Sequence, residues 1–288
     1  MFTLDRVHFK TNPTQESGEY AELIELVLVI LNRTSVELTL ASQGKHSLTE
    51  DQFRVSVKLI HSACTVGSLL PELIRERSLR LPYAYPLARM YYERLLSAAY
   101  VISDDGSSAK RAILYSAYRV FKDQVRTLSV GGTTKPIPGR KKVLRKSPIV
   151  AEALDYFRNA KAIKEYEHER QDRALIVGAK NKRAEILFQS VEQMGYSTAS
   201  EVTHGSYLST ILFDEAPRDN TPERGFDEAT SEILTMLVLS SEALGRLLLE
   251  IFPDLPSAPL LIEAERTLMK FEVPEAISLI NQAYDTKL

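Results

Sequence analysis

The chain has 288 residues, 44% of them apolar, and a formal net charge of only -2 at pH 7. Its 12 glycines and 13 prolines are sparse punctuation for this length, which favours long helices over many short strands. Cys64 is the sole cysteine, which excludes an internal disulfide and a Cys-based zinc site.

Two apolar features bear on the membrane. The segment Met1–Gln15 alternates polar and apolar residues and lacks the apolar centre of a signal peptide. The most apolar run, Leu23–Leu31, contains Glu25 and is too short to span a bilayer. We therefore expect a soluble, cytoplasmic protein that does not associate with a membrane.

The apolar periodicity predicts an all-α fold, a helical bundle of about nine helices. The first helix is Gly18–Ala41. The second, Ser47–Arg80, begins at a capping box of Ser47 and Glu50 and bends at Pro71. The others are predicted at Tyr85–Ser103, Ser108–Ser129, one or two helices within Ile149–Met194, Thr198–Phe213, Glu228–Ile251, Pro259–Phe271 and Pro274–Tyr284.

A basic loop separates the predicted fourth and fifth helices. It runs from Gly131-Gly132 to Ser147-Pro148, where an N-cap serine and a proline at the first helical position begin the next helix. We expect one domain over residues 1–288; the alternative is two parts, 1–130 and 148–288, joined by the basic insert 131–147.

Between Asp123 and Glu152 there is no acidic residue, but there are seven basic ones: Arg126, Lys135, Arg140, Lys141, Lys142, Arg145 and Lys146. Such a local concentration of positive charge attracts phosphates or acidic partners. The last six of these residues are the predicted phosphate-binding set. Alternatively, the insert is a flexible, solvated loop, or it docks on the acidic loop Asp214–Asp227.

A charged pair interrupts the predicted third helix, which is apolar on most sides. Arg89 and Glu93 are four residues apart, so they lie on one face of the third helix. Because that helix is apolar on most sides, both groups are expected in or near the interior, where a charge needs a partner. The pair is either an internal ion pair that fixes helix register or part of a polar pocket that a ligand completes.

A second polar segment, Tyr196–Ser206, follows the long charged region. Ser200 and His204 share a helical face with Leu208 and Ile211, so the imidazole is expected to point toward the apolar side. A histidine there can act as a general base or change its charge near neutral pH. The alternative is a core histidine that is hydrogen-bonded to tyrosine or serine.

The predicted fourth helix carries Arg111, Tyr115, Tyr118 and Lys122 along one stripe. Aromatic rings interleaved with cations can stack on nucleobases and neutralise phosphates. Tyrosines of this kind are more often core residues whose hydroxyls reach the surface.

Two spacings are weakly typical of metal ligands, and we predict no metal site and no cofactor. His61 and Cys64 are three residues apart, which supplies too few ligands. The acidic and histidine side chains between residues 165 and 172 alternate with basic ones, which is typical of a solvated, salt-bridged face.

The two polar helices resemble a bacterial family known only as a domain of unknown function. Its members pair an Arg-x-x-x-Glu helix with a later Tyr-x-x-x-Ser-x-x-x-His helix, which here correspond to Arg89/Glu93 and Tyr196/Ser200/His204. The resemblance covers about residues 62–213 and implies that the motif helices meet, so that these five residues line one pocket.

In helical plan such proteins are similar to the HEPN superfamily, which includes toxin and antiphage-defence ribonucleases. Those ribonucleases use Arg followed by four residues and then His. None of the five histidines here has Arg five positions earlier, so the catalytic motif of that superfamily is missing.

We therefore predict a binding protein for a phosphate-bearing ligand, RNA or a nucleotide, with a role in antiphage defence or a toxin–antitoxin system implied by the resemblance. One alternative is an interaction scaffold for a partner protein encoded nearby. Another is a metal-independent ribonuclease in which His204 is the general base, with Arg89 and Glu93 as the other candidate catalytic residues. Whether the chain is an enzyme stays open, and so does self-association into a homo-oligomer.

Overall fold

A computed structural model describes residues 17–42, 44, 48–76, 81–122, 125–138, 145–160, 163–204 and 222–269. These residues form an all-α bundle, as predicted, together with one two-stranded hairpin. The helices are α1 (Ser17–Ala41), α2 (Glu50–Gly67), α3 (Leu70–Glu76), α4 (Ala84–Ser103), α5 (Ser107–Lys122), α6 (Pro148–Tyr156), α7 (Arg170–Gly178), α8 (Lys182–Val191), α9 (Ser197–His204), α10 (Pro222–Ile251) and α11 (Ala258–Met269).

Helix α2 is capped by Thr49, so the predicted capping box of Ser47 and Glu50 is wrong by two residues. The Thr49 hydroxyl accepts a hydrogen bond from the Gln52 backbone N–H at 3.2 Å, and the Gln52 side-chain oxygen accepts one from the Thr49 N–H at 2.9 Å. The Gln52 amide nitrogen also donates to two carbonyl oxygens at the end of α4. Glutamine closes the box here because it can accept from the cap and donate to the neighbouring helix at once.

The predicted second helix is two helices. The first of them, α2, ends at Gly67. A Cβ added there would lie 2.6 Å from a methyl carbon of Leu28, so the glycine allows α1 and α2 to approach closely. Pro71 takes the second position of α3. An N–H is unpaired at that position in any helix, so the proline costs no hydrogen bond there.

Helix α4 lies at the centre of the bundle, and its predicted extent, Tyr85–Ser103, is confirmed to within one residue. It packs against α2, α7, α9 and α10, and most of its side chains are buried. The Tyr91 hydroxyl is 2.6 Å from the Ser241 Oγ of α10, which satisfies a polar group in the middle of the core.

The predicted fourth helix ends earlier than expected, at Lys122, and a β-hairpin includes its predicted last residues and the start of the basic insert. Strand β1 (Val125–Val130) pairs antiparallel with β2 (Thr133–Pro138). The two residues between the strands, Gly131 and Gly132, have φ angles of 56° and 79°. A two-residue turn with two positive φ angles matches the right-handed twist of a hairpin, and glycine adopts it without strain. The insert is therefore more than a plain loop.

The region predicted as one or two helices at Ile149–Met194 forms three, with an irregular stretch after the first. Ser147-Pro148 does begin α6, with proline at the first position as predicted. Helix α8 begins at a further cap, where the Asn181 side chain accepts from the Ala184 N–H at 2.9 Å. The spacing of charges predicts helix for the irregular stretch as well, because salt-bridged loops and solvated helices have similar compositions.

The C-terminal helices α10 and α11 pack against one another and against α1. Helix α10 begins at Pro222, so the end of the predicted acidic loop Asp214–Asp227 is helical, and the helix starts before the predicted Glu228. Residues 205–221 and 270–288 lie outside the described residues, as do the predicted helix Pro274–Tyr284 and most of the acidic loop.

One hydrophobic core contains residues from both sides of the basic insert, from Tyr20 in α1 to Ala264 in α11. A second, small cluster of Leu114, Ala153 and Phe157 joins α5 to α6. Among the described residues, only Glu50–Arg75 is long and apolar enough for a membrane span. This is weak evidence, because core helices of soluble proteins pass the same test of length and composition. That stretch includes the break between α2 and α3 and packs on α4.

Candidate functional site

The predicted Arg89–Glu93 pair forms on a partly exposed side of α4. The two residues are one helical turn apart, and Arg89 Nε lies 3.1 Å from Glu93 Oε1. The Arg89 side chain is 17% exposed and that of Glu93 is 35% exposed. The pair is thus half-buried, between the two environments that the sequence left open.

Two residues of the second motif reach this pair from the other side. Arg89 Nη1 donates to Ser200 Oγ at 3.2 Å, and the Tyr196 hydroxyl donates to Glu93 Oε1 at 2.6 Å. The structure therefore brings together Arg89, Glu93, Tyr196 and Ser200. His204 is the last residue of α9, and its side chain lies outside the described part of the chain, so its predicted place in the pocket stays a prediction.

Three further residues, which the sequence did not single out, complete the arrangement. Arg170 places its guanidinium 4.0 Å from the centre of the Tyr196 ring, and Arg89 places its own at 4.6 Å. Arg170 Nε donates to both carboxylate oxygens of Glu192, at 3.1 and 3.3 Å. The Tyr92 hydroxyl donates to Glu192 Oε2 at 3.1 Å. We call the seven residues the guanidinium–tyrosine cluster: Arg89, Tyr92, Glu93, Arg170, Glu192, Tyr196 and Ser200.

A π-helical turn, Glu192–Tyr196, connects α8 to α9 and supplies two members of the cluster. Such wide turns are rare in proteins, and those that occur are often found at functional sites. Gly195 lies against α10, where an added Cβ would be 2.5 Å from the Met236 sulfur. This close approach holds the turn against the core, and Gly195 was the one sign of it in the sequence.

The surroundings of Tyr92, Tyr196 and Arg170 raise the pKa of each above its ordinary value. Burial, followed by the hydrogen bond and charge of Glu93, raises the pKa of Tyr196, and burial raises the pKa of Tyr92 as well. Burial acts to lower the pKa of Arg170, but Glu192 and other neighbours raise it above its usual value. Both hydroxyls therefore remain donors and the guanidinium stays charged, which suits binding and positioning better than proton transfer.

The charges of the cluster cancel. Each of its two arginines is paired with one carboxylate, Arg89 with Glu93 and Arg170 with Glu192. A phosphate that entered would meet guanidiniums whose charge is already offset, and the paired carboxylates would repel it. The cluster is therefore a poor phosphate site.

A cavity of about 290 Å³ opens beside the cluster, between α7, α8 and the π-helical turn. It shares Tyr92, Arg170 and Glu192 with the cluster, and its other lining residues are Gln171, Ala174, Leu175, Gln189 and Gln193. Its lining therefore contains amide groups that the predicted pocket did not include.

The predicted phosphate-binding residues lie far along the chain from this cavity. Lys135 in β2 and Arg145 and Lys146 before α6 are exposed. Arg140, Lys141 and Lys142 lie outside the described residues. In the part of the chain that the structure describes, none of the three exposed cations forms an ion pair.

The tyrosine stripe on α5 belongs to the core between α5 and α6. Arg111 is buried and donates to Glu167 Oε1 at 2.6 Å and to the Lys164 carbonyl oxygen at 3.2 Å. The rings of Tyr115 and Tyr118 pack on Phe157, with centroids 6.4 and 5.5 Å apart. These contacts favour the core interpretation over a platform for nucleobases.

The weakly metal-like residues between 165 and 172 contact other groups. His168 packs edge-on against Tyr100, with ring centroids 6.0 Å apart, and Glu169 accepts from Lys164 Nζ at 2.6 Å. Within the described ranges, no three His, Cys, Asp or Glu side chains converge as metal ligands.

Comparison with family models, with curated proteins and with solved structures finds no match for this chain.

Proposed function

We propose that the protein binds single-stranded RNA or a nucleotide through phosphate contacts of the basic insert. The observation that carries this proposal is that the exposed cations of the insert have no carboxylate partner among the described residues, whereas Arg89 and Arg170 of the cluster each have one. Lys135, Arg145 and Lys146 are exposed without a carboxylate partner in the described residues. Unpaired cations on a surface attract phosphates and release counterions when they bind them.

The hairpin adds a structural reason. Strands β1 and β2 pair with one another and, in the described residues, make at most slight contact with the helices. Lys135 therefore stands on an element that a nucleic acid can approach from several sides.

The cellular setting is part of the proposal and is supported by the resemblance alone. A cytoplasmic bacterial protein of antiphage defence or of a toxin–antitoxin system would meet RNA as its ligand. The ribonuclease alternative has less support, because the charge that Arg89 would offer to a pentavalent phosphate is already offset by its ion pair with Glu93.

The test is binding of a fluorescent single-stranded oligoribonucleotide, measured by anisotropy over a range of salt concentrations. The logarithm of the association constant should fall linearly with the logarithm of salt, by about 0.7 for each phosphate contact. A variant with Lys135, Arg145 and Lys146 changed to alanine should have a slope that is smaller by about 2.

A matched control removes three exposed cations that do have carboxylate partners. Lys110, Arg158 and Lys164 pair with Glu152, Asp155 and Glu169, so changing them to alanine alters net charge equally. This control should keep nearly all of the salt dependence. Binding that is absent, or insensitive to salt, would contradict the proposal and favour the interaction scaffold.

A further inference from the structure

The cavity beside the guanidinium–tyrosine cluster has features of a ligand site that is separate from the basic insert. Its volume of about 290 Å³ is close to the lower end of small-molecule sites, roughly 300 Å³. A ligand that fits must be compact, about the size of one heterocyclic ring system with its sugar.

The charge of the lining argues for a neutral ligand. The one guanidinium and the one carboxylate in the lining belong to Arg170 and Glu192, which are hydrogen-bonded to each other. A charged group placed between them would gain from one and be repelled by the other. An uncharged polar group meets no such penalty.

The amides of the lining argue for a ligand that both donates and accepts hydrogen bonds. Gln171 and Gln193 are exposed, and their side chains make no hydrogen bond within the described residues. Gln189 donates through Nε2 to Glu185 at 3.2 Å, which leaves its oxygen available. Amide side chains match the mixed donor and acceptor edge of a nucleobase, as glutamine does with adenine.

The remaining walls argue for a flat ligand. Ala174 and Leu175 supply apolar surface. The Arg170 guanidinium is held as a fixed plane, because it lies on the Tyr196 ring at 4.0 Å and is tied to Glu192. Unpaired bases stack on guanidinium planes and are hydrogen-bonded along their edges.

We infer that this cavity binds one unpaired nucleobase, either in a single-stranded RNA or in a free nucleotide, by the amide edges of Gln171, Gln189 and Gln193 beside the Arg170 plane. The inference rests on the proposed function. It assigns phosphate attraction to the basic insert and base recognition to the cavity, two places that can be tested separately.

The first test uses the four common ribonucleosides, which carry no phosphate, with binding followed by calorimetry on the full chain. At least one nucleoside should bind. Changing Gln171 and Gln193 together to alanine should weaken that binding by about tenfold or more, since a good amide–base pair contributes about 1–3 kcal/mol. Neither amide has a protein partner in the described residues, so the variant should keep the wild-type unfolding midpoint.

The matched control changes two exposed amides outside the cavity, Asn32 and Asn159, to alanine, and nucleoside binding should not change. If no nucleoside binds at millimolar concentration, or if the glutamine variant binds as well as the control, the cavity assignment is wrong. Salt-dependent RNA binding would survive that result, so the failure of this inference and the failure of the proposed function are distinguishable.

The second test identifies the source of the base. An oligoribonucleotide of the preferred base and an abasic oligomer of equal length are compared by anisotropy at one salt concentration. Tighter binding of the base-containing oligomer, lost in the glutamine variant, assigns the site to RNA. Equal binding of the two oligomers, with nucleoside binding retained, assigns it to a free nucleotide; equal binding without nucleoside binding overturns the inference.

Discussion

The guanidinium–tyrosine cluster and the basic insert differ in whether their positively charged side chains are paired with carboxylates. In the cluster, Arg89 and Arg170 each have a carboxylate partner and an aromatic ring. In the insert, the exposed residues Lys135, Arg145 and Lys146 have no carboxylate partner among the described residues. Cations that are paired and half-buried stabilise a fold, whereas exposed unpaired ones are available to a ligand.

This comparison orders the effects on stability that substitutions of charged residues should have. The four predictions below run from the largest expected change in the free energy of unfolding to the smallest. All can be measured by urea denaturation monitored by circular dichroism.

Arg111→Met should have the largest effect, a loss of about 2–3 kcal/mol. The substitution removes a charged hydrogen bond to Glu167 and one to the Lys164 carbonyl oxygen, together with the packing of the guanidinium on Phe157. The control is Arg158→Met, whose partner Asp155 is also exposed, and it should change stability by less than about 0.5 kcal/mol. If both substitutions lower the free energy of unfolding equally, burial of the cation does not decide how much it contributes to stability.

Glu93→Gln should cost about 1–2 kcal/mol. Arg89 would remain half-buried without its carboxylate, although the Tyr196 hydroxyl could still donate to the amide oxygen. In the control, Glu152→Gln breaks the exposed pair with Lys110 and should be close to neutral. If Glu93→Gln leaves the free energy of unfolding unchanged, this ion pair of the cluster does not contribute to stability.

Asp104→Ala should cost about 1 kcal/mol at pH 7. Asp104 Oδ2 accepts from the Ser108 N–H at 2.8 Å and from the Ser107 hydroxyl at 3.1 Å. Burial acts to raise the pKa of Asp104, but the hydrogen bonds from Ser108 and its neighbours hold that pKa below its ordinary value.

A lowered pKa in the folded state means that the charged form of Asp104 stabilises the protein above about pH 4, the pKa of an unfolded aspartate. The difference between wild type and Asp104→Ala should therefore shrink as the pH falls through the folded-state value. Asp104→Asn keeps an acceptor and lacks the titration, so its difference from Asp104→Ala should stay constant over this range. A pH-independent loss in Asp104→Ala would assign the effect to packing.

The triple alanine variant of Lys135, Arg145 and Lys146 should have the smallest effect, within about 0.5 kcal/mol of wild type. These side chains are exposed and form no ion pair in the described residues. The same variant is expected to lower the slope of RNA binding against salt by about 2, so a change in function should be seen without a change in stability. A large loss of stability would mean that the insert is part of the fold.

The positions of several helices and one side of the candidate site could be predicted from local pattern. The Arg89–Glu93 pair follows from a spacing of four on an apolar helix, and the meeting of α4 with Tyr196 and Ser200 was expected only from the resemblance. The hairpin was missed although Gly131-Gly132 lies between β-branched residues, because the helical pattern before it was extended too far.

What the sequence by itself determined is the class of the fold, the limits of α1 and α4, and the place where positive charge is concentrated. These depend on periodicity and composition, which are local properties. Only the tertiary structure decided that Arg170 and Glu192 join the cluster, that their charges cancel, and that a cavity lined by glutamines lies beside them. Pairing and cavities depend on which side chains from distant segments become neighbours, and a single sequence does not encode that in any short stretch of residues.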